Sequence, residues 1–147
     1  MKLNFPSYNF KIKKIENTNY IFDVIRKIWL VLTPEEWVRQ HVIWYLIQEK
    51  KYPSNLMAVE KRIKINNQNK RFDLVVFNLN AQPFLLAEFK APNVKVGIDS
   101  FIQAGHYNQV IGAGYLLITN GINTTVWDYQ LQTNKSILPI EIPEYHK

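Results

Sequence analysis

The sequence predicts an α/β protein in which one mixed sheet lies between two helices, and three observations lead there. The first is the stretch RFDLVVFNLNAQPFLLAEFKAP (residues 71–92), where two apolar runs, residues 72–77 and 84–89, are separated by Asn78, Asn80 and Pro83. Runs of that length bounded by turn residues read as neighbouring buried strands. The second is a pair of helix patterns, one before and one after this stretch. The third is YLLIT (residues 115–119), an apolar run followed by the turn dipeptide Asn120-Gly121 and a further extended segment. The order is helix, three strands joined by hairpins, helix, two strands. One helix on each side of the sheet makes a three-layer α/β/α sandwich.

Each element has its own signal. Residues 1–19 are polar, with Lys11, Lys13 and Lys14 clustered, and read as a frayed arm or irregular lead-in. Residues 20–32 are rich in β-branched and aromatic side chains and suggest one or two short extended pieces, although Ile21, Val24, Ile25 and Ile28 also fit a helical stripe. Thr33 can cap a helix, Pro34 suits its first position, and Glu36 stands where a capping box places an acid. This helix should run to about Glu49, with Lys50 and Lys51 at its negative end and Pro53 beyond. Glu35 and Arg39 can pair on its surface. Val38, Val42, Tyr45 and Leu46 form its apolar stripe, which Trp37, Ile43 and Trp44 widen.

Residues 56–65 alternate in part and read as a strand with Val59, Lys61, Ile63 and Ile65 on one side. NNQNK (residues 66–70) is the turn into the strand that carries Asp73. Pro92 ends the strand of Glu88. The second helix spans residues 98–111 through Ile98, Phe101, Ile102 and Val110, and Gly112 and Gly114 close it. The strands at residues 115–119 and 124–129 follow. From Gln130 the tail is polar and is expected to pack loosely. The domain boundaries expected are an arm at 1–19, one domain at 20–130 and a tail at 131–147.

Composition narrows the function classes. The chain has 147 residues, 47% of them hydrophobic, enough for one domain with a substantial core. No apolar run approaches the roughly 20 residues of a membrane span, so no membrane partner is expected. No signal-peptide pattern follows Met1-Lys2, and the cytoplasm is the expected compartment. The absence of cysteine excludes disulfides, thiolate zinc sites and a cysteine nucleophile. His41, His106 and His146 lack zinc-ligand spacing, and no GxxxxGK[ST] loop or GxGxxG is present. A net charge of +6 favours polyanionic partners.

Charged residues inside the apolar strands carry the chemistry. Glu88 and Lys90 alternate onto one face, and Asp73 interrupts the preceding strand. Buried charges need partners, hydrogen bonds or a metal. Asp73 and Glu88 are hard oxygen ligands suited to Mg²⁺, and Lys90 can stabilise charge on a phosphate in hydrolysis. A structural salt bridge between Glu88 and Lys90, with Asp73 on Arg71 or Lys70, is the plainer account of the pattern taken by itself. Gln103 and Tyr107 share one helix face and can reach a water, a phosphate or a carboxylate; an ordinary helix surface is the plainer account. Glu36 either adds a carboxylate to a metal site, with Gln40 beside it, or completes its capping box. Lys61, Arg62, Lys64, Lys70 and Arg71 bracket the hairpin and either grip nucleic-acid phosphates or form the solvent face of an edge hairpin.

Together these residues resemble a known arrangement. An acid in the first helix, then Asp, Glu-x-Lys and Gln-x-x-x-Tyr is similar to the PD-(D/E)xK nuclease superfamily. Residues 20–129 resemble the N-terminal nuclease domain of type I restriction enzyme R subunits through TPEEWVRQ (33–40), RFDLVVF (71–77), LLAEFKAP (85–92) and QAGHYNQ (103–109). The Gln-x-x-x-Tyr element also resembles that of nucleases fused to recombination helicases. The resemblance implies a restriction-endonuclease-like fold and Mg²⁺-dependent DNA hydrolysis, with Mn²⁺ as an alternative ion. Asp73 and Glu88 would match the metal ligands, Lys90 the catalytic lysine, Gln103 and Tyr107 the downstream helix motif, and Glu36 the first-helix acid. The proline of the superfamily's name is replaced here by Phe72. The restriction subunits carry a translocating motor after this domain, and the 147 residues contain none. The expectation is therefore an endonuclease of DNA in restriction, defence or DNA processing, acting alone, with a separate motor or restriction subunit, or as a homodimer. The alternative is an inactive nuclease-fold module that binds DNA or assembles with partners; an RNA-directed nuclease is a third reading.

Overall fold

The computed structural model describes residues 2–129 and 139–146. A three-stranded antiparallel meander comes first: β1 (Ile12–Ile15), β2 (Thr18–Asp23) and β3 (Ile28–Val31). Glu16 and Asn17 both adopt positive φ, the two-residue turn that fits the twist of a hairpin. The extended pieces expected at residues 20–32 are β2 and β3, so the helical alternative is excluded. Helix α1 (Pro34–Gln48) follows, then β4 (Met57–Ile65), β5 (Gln68–Phe77), β6 (Pro83–Phe89), helix α2 (Ile98–Ile111), β7 (Tyr115–Thr119), β8 (Thr124–Asp128) and the two-residue β9 (Pro139–Ile140). Strands β4 to β9 make one sheet in sequence order. Among the described residues only β6 and β7 pair in parallel, across the α2 crossover; the other described pairs are antiparallel.

The helices occupy opposite faces. Val38, Val42, Ile43 and Leu46 of α1 pack on Leu74, Val76, Leu85, Ala87, Leu117 and Val126. Phe101 and Ala104 of α2 pack on Val75, Leu86, Leu116 and Ile118. Successive strand residues thus serve opposite layers, which explains why residues 84–87 of β6 and 115–118 of β7 are apolar without interruption. The expected sandwich is present.

Several local expectations are corrected. The lead-in is docked rather than frayed: Leu3 is buried, Asn4 donates to Gly121 and Ile122 carbonyls, and Tyr8 and Phe10 stack against Trp37, His41 and Trp44. These aromatic contacts explain why α1 is apolar on more than one face. Arg39 turns inward to Glu36, Glu60 and Asp73 instead of pairing with Glu35 on the surface. Helix α2 packs through Phe101, Ala104 and Asn108, while Ile98, Ile102 and Val110 are exposed. The tail returns to the core where it is described: Tyr145 donates to the Phe77 carbonyl and packs beside Tyr52 and Phe84. Residues 130–138 of that expected tail lie outside the described residues.

The β4–β5 hairpin changes sides. Its turn is Asn66-Asn67, both at positive φ, with Gln68 to Lys70 already in β5. Met57 and Val59 face the α1 layer, yet Ile63 and Ile65 face the α2 layer. The partner strand does the same, with Phe72 on the α2 side and Leu74 on the α1 side. Between them Glu60 takes a φ of 54°, and the ladder passes from Val59–Leu74 to Lys61–Phe72. A single left-handed residue breaks the period of two, so strict alternation over residues 59–65 fails.

Candidate active site

The site forms where β5 and β6 part. Their pairing ends at Leu74 with Ala87, and the same register sets Asp73 across from Glu88. Beyond that point Asp73 Oδ2 accepts a hydrogen bond of 2.7 Å from the Phe89 backbone N–H. A side chain thus satisfies a donor that the strand no longer pairs. Glu88 and Lys90 follow Leu86 on the α2 face, and the Lys90 N–H donates to the Thr119 carbonyl at the end of β7. A narrow cleft of about 60 Å³ opens there, lined by Lys70, Glu88, Lys90, Ser100, Gln103 and Tyr107 among others.

The electrostatics are those of two acids forced together. Burial pushes the Glu88 carboxyl up from 4.5 to about 8, helped by the neighbouring Asp73 charge and a hydrogen bond between the two side chains; Lys70 and Lys90 pull it down. Protonated Glu88 is the donor in that bond. Its Oε1 is buried and has no hydrogen-bond partner. An orphaned carboxylate oxygen beside a second carboxylate is a fit for a hard divalent cation. Among the described residues no group of three or more acids and histidines is placed to hold a metal ion. Magnesium needs only one or two carboxylates and completes its shell with water and phosphate oxygens, so Asp73 and Glu88 suffice as the donor set.

The other candidate residues divide. Gln103 and Tyr107 line the cleft with Glu88 and Lys90, whereas His106 is exposed. Lys70 separates from the other basic residues of the hairpin: its ammonium lies 5.4 Å from the Tyr107 ring centroid and acts on Glu88. Lys61, Arg62, Lys64 and Arg71 are exposed on the hairpin, with Arg62 directly opposite Arg71. Glu36 is engaged elsewhere. One oxygen accepts from Gln40 at 2.9 Å, and the other meets Arg39 at 3.3 Å and Arg26 at 3.8 Å. Its capping box is only half formed: Thr33 Oγ1 accepts from the Glu36 N–H, but the Thr33 N–H donates to Val31. The Glu36 carboxylate therefore serves an arginine network and does not join Asp73 and Glu88 in a three-acid cluster.

Arg39 is the residue that sequence reasoning missed. Its Nη1 meets Glu36 and Glu60 at 3.3 and 3.4 Å, and its Nη2 lies 3.7 Å from Asp73 Oδ1. Arg26 extends the network, joining Glu60 at 3.3 Å and buried Asp23 at 2.8 Å. The signal available was the position of Arg39 next to Val38 and one turn from Val42, on the side of α1 that faces the sheet.

Comparison with known proteins bears on this geometry. A search among curated proteins gave no match. The family model described as type I restriction enzyme R protein N terminus matches residues 34–143, well over half of the chain, and that span contains both helices and every residue of the cleft. With two carboxylates at parting strands and a lysine beside them, the chain belongs to the type I restriction enzyme R N-terminal family, a PD-(D/E)xK nuclease-like domain.

Proposed function

We propose that this chain is a Mg²⁺-dependent phosphodiesterase acting on DNA within a restriction system. The observation that carries the reading is the Asp73–Glu88 pair, two carboxyls set side by side where the strands part, with Glu88 Oε1 buried and without a hydrogen-bond partner and with Lys90 lining the same cleft as Glu88. Asp73 and Glu88 would hold the ion. The chemistry that Mg²⁺ would supply there is an acidified water and compensation of charge on the scissile phosphate. The Lys90 ammonium, two residues from Glu88, stabilises the charge that grows on phosphoryl oxygens. The Gln103 amide and Tyr107 hydroxyl supply hydrogen bonds from the helix side, orienting the phosphate or the attacking water. Lys70 adds a second ammonium at the rim, and Lys61, Arg62, Lys64 and Arg71 extend positive charge along the hairpin for backbone contacts. Other restriction subunits would be the protein partners.

The test compares plasmid cleavage in Mg²⁺ or Mn²⁺ by the wild type, Asp73→Asn and Lys90→Ala, with Mn²⁺ binding followed by calorimetry. The wild type is expected to bind the ion and cleave. Asp73→Asn should lose both, and Lys90→Ala should bind the ion while losing at least about 100-fold in rate. Equal cleavage by all three removes the assignment. Ion binding and DNA binding without cleavage in the wild type, with its partner subunits present, overturns the hydrolase reading in favour of a binding module.

A further inference from the structure

We propose that the outer face of the N-terminal meander is a binding platform for single-stranded DNA. The meander has two unlike faces. Ile21 and Asp23 lie fully buried on the inner one. The register places Lys13, Tyr20 and Val31 in one row of the outer face and Phe22 and Trp29 in the next, with Lys11 beside Phe22 just ahead of β1. An antiparallel sheet with one solvated face normally alternates to polar residues there. This one instead leaves Trp29 38% and Val31 49% exposed, with Tyr20 and Phe22 half-buried. No strand residue of this face carries an acid: Asp23 points inward, and Glu16 lies in the turn.

The chemistry of the face selects its ligand. Lys13 Nζ stands 4.1 Å from the Trp29 ring centroid and Lys11 Nζ 5.4 Å from that of Phe22. Each cation therefore sits over the ring on which a base would stack. An incoming strand offers both replacements at once: its phosphate takes the ammonium, and its base takes the ring. Exposed cation–π contacts are weak, and base stacking on an aromatic ring is stronger, so the exchange is favourable. Duplex DNA has no free base faces to offer, and a polyanion without bases leaves the rings bare. The choice of DNA over RNA rests on the reading of the cleft proposed above. The platform is tied to that cleft through its turn: Arg26 hydrogen-bonds Asp23 and Glu60 and lies 3.8 Å from Glu36, and Arg39 pairs with Glu36, Glu60 and Asp73.

The experiment is fluorescence anisotropy of a labelled oligothymidylate in chelator, so that neither ion binding nor cleavage enters. The wild type should bind it more tightly than the matching duplex. Trp29→Ala should weaken binding about tenfold, with Trp29→Phe recovering part of the loss. The Lys11→Ala/Lys13→Ala double variant should lower the slope of log K against log salt by about 1.4, from two phosphates at about 0.7 each. Circular dichroism confirms that each variant is folded. Equal affinity for duplex and single strand, equal affinity of Trp29→Ala and wild type, or tighter binding of oligouridylate each overturn the proposal. Loss of Mn²⁺ binding by the cleft is a separate outcome and would leave this one standing.

Discussion

Replacing Glu88 by glutamine isolates the electrostatics of the site. Burial and the Asp73 charge push the Glu88 carboxyl up from 4.5 to about 8. Between those values the native state holds a proton that the unfolded chain has released. Its contribution to stability is complete below about pH 4.5 and is lost as pH rises through 8. The slope is about 1.4 kcal/mol per pH unit for one proton, so raising the pH from 5.5 to 7.5 should remove about 2–3 kcal/mol. Glu88→Gln cannot titrate, and its amide can donate to Asp73 as the protonated acid does. His41, held below its ordinary value by burial, has the opposite slope near pH 6.5 but contributes equally to both proteins. Urea denaturation in chelator at pH 5.5, 6.5 and 7.5 measures the difference. The variant should gain about 2–3 kcal/mol on the wild type across this range. A difference that stays constant within about 0.5 kcal/mol refutes the account of Glu88 as an acid held protonated by its surroundings.

Other expectations follow from the same geometry. A divalent ion must displace the Glu88 proton, so at pH 7 Mn²⁺ binding should release about one proton, read from calorimetric enthalpies in buffers of different ionisation heat. Arg39→Met leaves Glu36, Glu60 and Asp73 without their shared cation and should cost about 3 kcal/mol in urea denaturation at pH 7; a loss under about 1 kcal/mol would show that the network is not structural. Gly121 has a φ of 87°, and a Cβ there would lie 2.8 Å from Leu3. Gly121→Ala should therefore cost at least about 1 kcal/mol and speed proteolysis within the first ten residues, whereas unchanged digestion would show that Leu3 repacks.

The sequence is most readable where one local rule decides. Helix α2 falls on residues 98–111 as expected, because Gly112 at a φ of 74° supplies the stop. YLLIT is a strand buried on both faces, as its unbroken apolar run implies. Spacing put Glu88 with Lys90 on one face and Gln103 with Tyr107 on another, but only the family resemblance, not the spacing, joined the two pairs in one site; the structure brings all four to the same cleft. What was not legible depends on contacts between elements. Arg39 looks like a surface residue with Glu35 in reach until α1 is docked on the sheet. Glu60 and Phe72 follow a plain alternation in the sequence, and no residue type announces that Glu60 adopts a left-handed conformation. The docking of Leu3 depends on a turn more than 100 residues away, which no window of sequence can reveal.

The change of sides in the β4–β5 hairpin makes its outer half a lip over the cleft, and parity governs that lip. Lys70 reaches Tyr107 because it stands two positions, one full period of the strand, from Phe72 on the α2 side. One residue inserted between Lys70 and Phe72 would turn the ammonium outward, while two inserted on each strand near Asn66 would raise the lip and keep Lys70 in place. The hairpin tip can therefore vary in height among chains built this way, reshaping the entrance without moving either carboxylate.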